Sequence, residues 1–449
     1  MKKPEPPPID DLNLLDRILE LLQNKDLNEL LLKIEREYPY WETFKYKVKD
    51  NHIDAKRLWQ YNKLLRNRTI SAIIINNLAG FKFKYNSTSK ILKYLHTFDL
   101  NLGGILEGSS IIPAEEKTRY LISSIMEEAI ASSQLEGAAT TREIAKEMLR
   151  TNRKPRTISE KMILNNYWTI KKVLEIKNEP MTKELILNLH SIITKDTLDT
   201  SSMEGKFRTN NDVKIVDNIT GEVFYDPPGY ENIDDLINSF CEFANSKNED
   251  EFIHPISRGI ILHFLIGYIH PFVDGNGRTA RAIFYWYLIS KNYWLIEYMS
   301  ISRIIVKSPA KYARAYLYSE YDDNDLTYFI EYNLRAMDLA LKSLKKYISR
   351  KINEKQSLYA LIRNENINER QAEILKSLIV DNQRRLTIRE IQSKFGIVYQ
   401  TARTDLLGLE SLGYLKGKKF GKKLVFFRVA DWEEKVKKIS ATPFEELRN

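Results

Sequence analysis

The stretch His270-Pro271-Phe272-Val273-Asp274-Gly275-Asn276-Gly277-Arg278-Thr279-Ala280-Arg281 sets an imidazole, one carboxylate, a Gly-Asn-Gly turn and two arginines within twelve residues. Before it, Arg258 to Tyr268 reads as a buried apolar helix; after it, Arg281 to Ile289 reads as another. A polar, glycine-rich corner between two such helices points to a mainly α body with a site at the corner. Gly275 and Gly277 permit backbone conformations closed to other residues, so successive N–H groups can face one concavity. The helix that starts there turns its positive end to the same point, which suits a phosphate. Asn276 adds a side-chain amide donor. Arg278 and Arg281, three apart, share a helix face and can reach the oxygens of one anion. Asp274 offers one hard oxygen ligand, a normal protein share for Mg2+. His270 is the group whose unperturbed pKa suits a base near neutrality. Each part alone is commoner as a plain turn, a structural histidine or a solvated arginine. Together they describe Mg2+-dependent attack by a deprotonated hydroxyl on a nucleotide phosphate.

The 449 residues leave room for two to four domains. A single cysteine, Cys241, excludes an internal disulfide framework and points to a reducing compartment. The start, Met1 to Pro8, has two lysines but no apolar run behind them, unlike a secretory signal. The longest apolar run, Gly259 to Ile269, is interrupted by His263 and too short to span a bilayer. A soluble cytoplasmic protein with no membrane partner is expected. The net charge of +9 is unevenly placed. Residues 341–449 carry 24 Lys and Arg against 13 Asp and Glu, whereas the other 340 carry 45 against 47. A nucleic-acid partner is therefore sought in the C-terminal quarter, a solvated basic face being the plain alternative.

Outward from the corner, residues 1–9 read as a mobile Pro-rich tail and Leu12 to Ile34 as a helical hairpin. The segment to about Tyr94 includes Trp41, Trp59 and the apolar stretch Ile70 to Leu78, but no catalytic spacing. Residues 1–110 are thus a mainly helical region without an assigned role. Ala114 to Ala131 has an amphipathic helical pattern that runs into Ser132-Ser133-Gln134-Leu135-Glu136-Gly137. Gly137 sits where a helix would end, since glycine takes a left-handed cap without steric penalty. Glu136 then lies where the helix dipole disfavours an anion, so a cation partner is expected. Ile158 to Ile176 and Thr182 to Thr194 are further helices. Val213-Lys214-Ile215-Val216 and Glu222-Val223-Phe224-Tyr225 flank the turn residues Asp217 to Gly221. A two-stranded ribbon alone is only marginally stable and suits a lid or docking edge. Ile233 to Ala244 reads as a helix before an acidic loop, Asn248 to Glu251. Helices Pro309 to Glu320 and Asp325 to about Ser349 follow, then a Lys-rich linker, Ser349 to Lys355.

In the tail, Ile367 to Val380 reads as a first helix. Thr387-Ile388-Arg389-Glu390 is a capping box opening a second that ends at Gly396, and Tyr399 to Leu412 is a third, ended by Gly413. Tyr414 to Arg428 reads as two strands around a basic turn, which completes a winged helix-turn-helix pattern. Gln400, Thr401, Arg403 and Thr404 start the third helix, where base edges are met, and Lys416, Lys418, Lys419, Lys422 and Lys423 populate the wing, where phosphates are met. DNA binding is one role for this domain; protein contact, including a homodimer, is the other.

Every defined position of His-Pro-Phe-x-Asp-Gly-Asn-Gly-Arg-x-x-Arg is matched from His270 to Arg281, and on this signature the chain resembles the Fic-domain proteins. The resemblance covers about Ala114 to Ala336. It implies a Fic-type helical core with a β-hairpin flap at 111–345, beside the winged helix at 356–432 and a tail at 433–449. Most Fic proteins transfer AMP from ATP to a Ser, Thr or Tyr hydroxyl of a target protein, and the enzyme itself can be the target. The resemblance makes His270 the base, Asp274 the Mg2+ ligand, Gly275, Asn276 and Gly277 the anion cradle, Arg278 the phosphate grip and Arg281 the γ-phosphate ligand. Val213 to Tyr225 looks like the flap that pins the target by strand addition. Gly205-Lys206-Phe207-Arg208 looks like the Gly-x-x-Arg ahead of it, with no catalytic role for Arg208. Ser132-x-x-x-Glu136-Gly137 resembles the Fic inhibitory motif, in which Glu136 would pair with Arg281 and occupy the γ-phosphate place. In some relatives that Glu instead positions a water that removes AMP, and rare relatives use other diphosphate donors such as CDP-choline. ATP is favoured because Arg281 and Glu136 make sense around a γ-phosphate. The competing function is a DNA-binding regulator whose Fic body senses ATP with little transfer.

Overall fold

The computed structural model describes residues 2–8, 25–49, 54–73, 82–102, 117–217, 220–246, 252–364, 367–380, 385–420, 423–429 and 431. The chain divides into two units, Met1–Leu344 and Lys345–Asn449. In chain order the first holds α1 (Lys25–Glu35), α2 (Trp41–Lys47), α3 (Ala55–Thr69), β1 (Ile70–Ile73), β2 (Phe83–Asn86), α4 (Ser89–Leu102), α5 (Lys117–Leu135), α6 (Arg142–Thr151), α7 (Ile158–Glu175), α8 (Lys183–Thr194), β3 (Ile215–Val216), β4 (Val223–Tyr225), α9 (Ile233–Asn245), α10 (Pro255–Ile269), α11 (Asn276–Ser290), α12 (Ser302–Ile305) and α13 (Pro309–Tyr321). The long α14 (Thr327–Asn364) follows.

The pair α10 and α11 is the centre of the first unit. Nearly all of α10 is buried, as a helix apolar all round must be. Pro255 starts it, and the Ile256 N–H is capped by His254 Nδ1 at 3.2 Å. Gly259 admits α11, since a Cβ there would lie 3.1 Å from Leu288 Cδ2. Around this pair, Thr157 and Thr182 cap α7 and α8 by accepting the N–H of Glu160 and Leu185. The end of α5 is closed by Gly137 at φ +91° and by the Ala138 N–H on the Ser133 carbonyl at 3.0 Å, the Schellman pattern.

Several expectations change. The tail is held, not mobile: the Glu5 carbonyl accepts from Tyr40 Oη at 2.9 Å, its carboxylate from Trp41 Nε1 at 2.9 Å, and Lys3 Nζ donates to the Val223 carbonyl at 3.1 Å. The Lys-rich stretch 349–355 lies inside α14 rather than in a linker, because Lys and Glu are good helix formers. Ile70 starts a two-stranded antiparallel sheet with Ile70 opposite Asn86. The hairpin pairs Ile215 with Tyr225 and Val216 with Val223 across a register shift, so it is shorter than its apolar residues suggested. The first part of the Leu12–Ile34 pattern and the acidic loop Asn248 to Glu251 lie outside the described residues. Among the described residues no helix is long and apolar enough to cross a membrane.

The second unit contains α15 (Glu369–Val380), β5 (Leu386–Thr387), α16 (Ile388–Phe395), α17 (Tyr399–Ser411), β6 (Leu415–Phe420) and β7 (Lys423–Arg428). Its antiparallel sheet has the order β5-β7-β6. Leu375, Leu406, Leu409 and Phe426 are fully buried in its core. Thr387 Oγ1 accepts the Glu390 N–H at 3.2 Å, and Gly396 at φ +62° ends α16. Gln400, Arg403 and Thr404 are exposed at the start of α17 and Thr401 is half-buried; Lys416, Lys418 and Lys419 are exposed on β6.

Candidate active site

His270 ends α10 in the left-handed region, φ +49°, which is uncommon for a residue with a side chain and held here by its surroundings. Its N–H bonds the Ile266 carbonyl at 3.0 Å. Arg208 brackets the turn: Nε donates to the His270 carbonyl at 3.0 Å and its backbone N–H to the Pro271 carbonyl at 2.9 Å. The same guanidinium reaches the Asn210 carbonyl at 2.8 Å and the Pro228 carbonyl, tying the segment before the flap to the one after it. His270 Nδ1 lies 3.1 Å from the Gly267 carbonyl, so that nitrogen carries the proton and Nε2 keeps a lone pair. Burial lowers the His270 pKa, against the pull of the Gly267 carbonyl and Glu136.

The turn 271–276 closes on Asn276, which accepts the Phe272 N–H at 3.0 Å and donates to the Phe272 carbonyl at 2.8 Å. One amide N–H of Asn276 is therefore engaged by the loop, and the backbone N–H groups that begin α11 there are suited to an anion. Gly275 stands at φ +83° against α8, where a Cβ would lie 2.9 Å from Thr194 Cγ2 and 3.3 Å from the His190 ring. His190 was not singled out in the sequence. Its Nε2–H donates to the Asp274 carbonyl at 2.8 Å, its Nδ1 accepts the Gly205 N–H at 3.1 Å, and its ring stacks on Phe272 at 3.6 Å. Burial pushes its pKa down to about 4, which keeps it neutral.

Arg278 is fully buried, donating to the Ile193 carbonyl at 3.3 Å and to Asp274 Oδ2 at 3.1 Å, with Nε unpartnered. Burial lowers its pKa, with Asp274 opposing. The Asp274 carboxylate is 54% exposed and its Oδ1 accepts the Gly275 N–H at 2.6 Å. Among the described residues no three His, Cys, Asp or Glu gather as a metal cage. One solvent-facing carboxylate beside a buried arginine with a spare N–H nevertheless fits Mg2+ carried by phosphates, since that ion keeps waters and takes few protein ligands.

Arg281 is also buried. Its Nε donates to Ser132 Oγ at 2.8 Å, and Nη2 donates to the Ser132 carbonyl at 2.9 Å and to Glu136 Oε1 at 2.8 Å. Burial works against its charge, but Glu136, with Tyr312 and Glu128, outweighs burial and holds the guanidinium above its ordinary range. Glu136 Oε1 also sits over Gly277, where a Cβ would collide with it. The carboxylate at the unfavourable end of α5 thus meets both a cation and the positive end of α11.

The flap residues Val216 and Val223 are exposed, whereas Phe224 is buried. Tyr225 Oη donates to the Tyr268 carbonyl at 3.1 Å, which fixes β4 two residues from His270. The carbonyls of Val223 and Phe224 are engaged by Lys3 and by Tyr321 Oη. Lys214 faces Asp226 at 3.4 Å, and Val213 and Ile215 are half-buried, with Glu222 exposed.

Residues 180–288 match the model of the Fic/DOC family. A protein adenylyltransferase Fic of Nematostella vectensis is 32% identical over 107 residues, 24% of this chain and 22% of that protein. One of Aedes aegypti is 42% identical over 57 residues, 13% of this chain and 11% of that one. The chain spans less than a quarter of the length of these curated relatives. A Fic family protein from Desulfovibrio desulfuricans G20 shares the fold at 16% identity and a TM-score of 0.51, over 77% of this chain and 98% of that one. Residues 180–288 thus resemble the Fic/DOC family, and over that part the chain is similar to known Fic adenylyltransferases.

Proposed function

We propose that the chain is an auto-inhibited protein adenylyltransferase that moves AMP from ATP to a Ser, Thr or Tyr hydroxyl of a target protein or of itself. The observation that carries this is the Glu136 carboxylate, 2.8 Å from Arg281 and above the N-terminus of α11, in the corner that also holds His270. His270 Nε2 takes the hydroxyl proton as the oxygen bonds the α-phosphorus. The bond from that phosphorus to the bridging oxygen breaks, and pyrophosphate leaves. Arg278 and the first N–H groups of α11 orient the phosphates and offset charge that develops on them. Asp274 would hold Mg2+, which supplies charge neutralisation between the phosphates. Glu136 competes with a γ-phosphate for Arg281, and the misplaced nucleotide then reacts slowly. With the Val223 and Phe224 carbonyls engaged, an incoming target segment adds to the β3 side of the flap. Incorporation of label from α-labelled ATP by wild type, Glu136→Gly and Glu136→Gly/His270→Ala tests this. Labelling confined to the first mutant supports transfer; equal labelling in all three refutes it.

Glu136 beside His270 also favours removal of AMP, with the carboxylate positioning water. Loss of AMP release from a modified target in Glu136→Ala alone would support that activity. The second unit is read as a winged helix that binds DNA through Gln400, Thr401, Arg403, Lys418 and Lys419; their place on an exposed helix start and an exposed strand favours this over a purely structural role. Salt-sensitive DNA binding without labelling would instead favour a regulator that senses ATP.

A further inference from the structure

Two residues on one face of α5 and Glu136 just past its end meet three on one face of α11, each set four apart and running in opposite directions. Glu136 lies over Gly277, Ser132 receives Arg281, and Glu128 receives Tyr285. The spacing is one helical turn on both helices, so the three contacts form a ladder and a slip in one moves all. Glu128 is its deep end and only 2% exposed. Its carboxylate accepts from Tyr285 Oη at 2.9 Å, Ser300 Oγ at 2.9 Å, the Ser302 N–H at 3.1 Å and the Ser302 hydroxyl. Its neighbour Glu127 has Arg142 and Lys146 as ion-pair partners, but among the described residues no cation lies within ion-pairing distance of Glu128, although its charge acts on the Arg281 guanidinium. A buried carboxylate with no cation in contact persists only where donors replace its water. Here those donors come from α11 and from the 300–302 segment, two separate pieces of chain, so they define a single seat. Nothing in transfer itself requires a carboxylate at this depth.

We propose that Glu128 is a positioning residue for the Glu136–Arg281 contact, a latch that sets the register of α5 on α11 and so keeps the site closed. This rests on the inhibition described above. Loss of the latch lets α5 slide or tilt, and the far end of the ladder, Glu136, leaves Arg281 first because it is the solvent-facing rung. A signal that reaches the 300–302 segment would therefore open the site from the opposite end of α5.

The test compares auto-labelling by α-labelled ATP in full-length wild type, Glu128→Ala, Glu136→Gly and the double mutant, together with hydrogen exchange of residues 132–137. The expected result is that Glu128→Ala labels at least about fivefold faster than wild type, the low end of ordinary coupling between sites. The double mutant should label no faster than Glu136→Gly, because both act through one contact. A folded Glu128→Ala that labels at the wild-type rate, or a double mutant in which the two effects multiply, overturns the latch. Should Glu136→Gly itself fail to label, the transferase reading falls, and hydrogen exchange alone decides the latch. Faster exchange at 132–137 in Glu128→Ala supports it, and unchanged exchange overturns it. Tyr285→Phe, which keeps the ring and deletes the hydroxyl that donates to Glu128 and accepts the Ile301 N–H, repeats both measurements if Glu128→Ala does not fold; faster exchange at 132–137 is again expected, and wild-type exchange overturns the latch.

Discussion

Glu136 Oε1 and Arg281 Nη2 lie 2.8 Å apart although 145 residues separate them, and the two are unequally exposed: 27% of the Glu136 side chain is accessible against 3% of Arg281. The cation is fixed and the anion is the removable partner. Ser132 alone still gives Arg281 two acceptors. Glu136→Gly should accordingly leave Arg281 in place, whereas Ser132→Ala strips the buried Nε of its acceptor. Ser132→Ala is expected to cost about 1–3 kcal/mol and to weaken ATP binding. Thermal melts and calorimetric titration with ATP check this; unchanged binding would show that Ser132 does not orient the arginine.

In the proposed transfer, the pH dependence follows from His270. Burial depresses its pKa, so the neutral, proton-accepting form persists below the ordinary imidazole value of about 6.5. The acid limb of kcat/KM, measured in Glu136→Gly, should lie below that value. A limb above neutrality would mean that another group is the base.

His263 makes a second, separate statement about acid. It is 2% exposed, faces Tyr312 Oη at 2.7 Å through Nε2, and burial holds its pKa well below the usual value, with Arg281 adding to the shift. A depressed pKa means that the unfolded chain binds the proton first. The stability contributed is full above about pH 6.5 and is lost as pH falls toward the folded-state pKa. The melting temperature of His263→Gln should therefore fall less steeply between pH 6.5 and 5 than that of wild type. Parallel slopes would contradict the assignment.

Arg208 is expected to matter through geometry. It holds the His270 and Pro271 carbonyls with a fork that a lysine cannot copy. In the Glu136→Gly background, Arg208→Lys should lower kcat by about tenfold or more while the KM for ATP changes little, since a misplaced base loses rate before binding. A KM effect alone would place Arg208 with the phosphates instead.

If the second unit binds DNA, Lys418→Ala and Lys419→Ala should each reduce the salt dependence of binding by about one ion, uniformly across sequences. Arg403→Ala should change sequence preference. Fluorescence anisotropy at several salt concentrations separates the two effects, and an unaltered salt slope would remove these lysines from the interface.

The sequence exposes what is encoded locally. His270 to Arg281 are contiguous because one turn between two helices carries them, and Gly137, Thr387 and Gly396 mark helix ends because a cap is a short-range signal. What it hides are partners brought from far along the chain by residues with no special spacing. His190 lies on an ordinary helix 84 residues before the Asp274 carbonyl it holds, and Arg208 lies 62 residues before the His270 carbonyl. Lys3 meets the flap across 220 residues, so the tail it sits in read as free. The stretch 349–355 misled for the opposite reason, since lysines that suit a linker suit an exposed helix equally. The Asn276 amide is chemically suited to an anion, and what its local sequence does not show is that the same amide closes the turn on Phe272.

The most direct measurement is mass spectrometry of Glu136→Gly after incubation with Mg2+ and ATP, beside wild type and Glu136→Gly/His270→Ala. The expected result is an added AMP on a hydroxyl side chain in the first, a small fraction of that in wild type and none in the double mutant. A Glu136→Gly protein that binds ATP yet gains no AMP on itself or on any protein of a cell lysate would contradict the account.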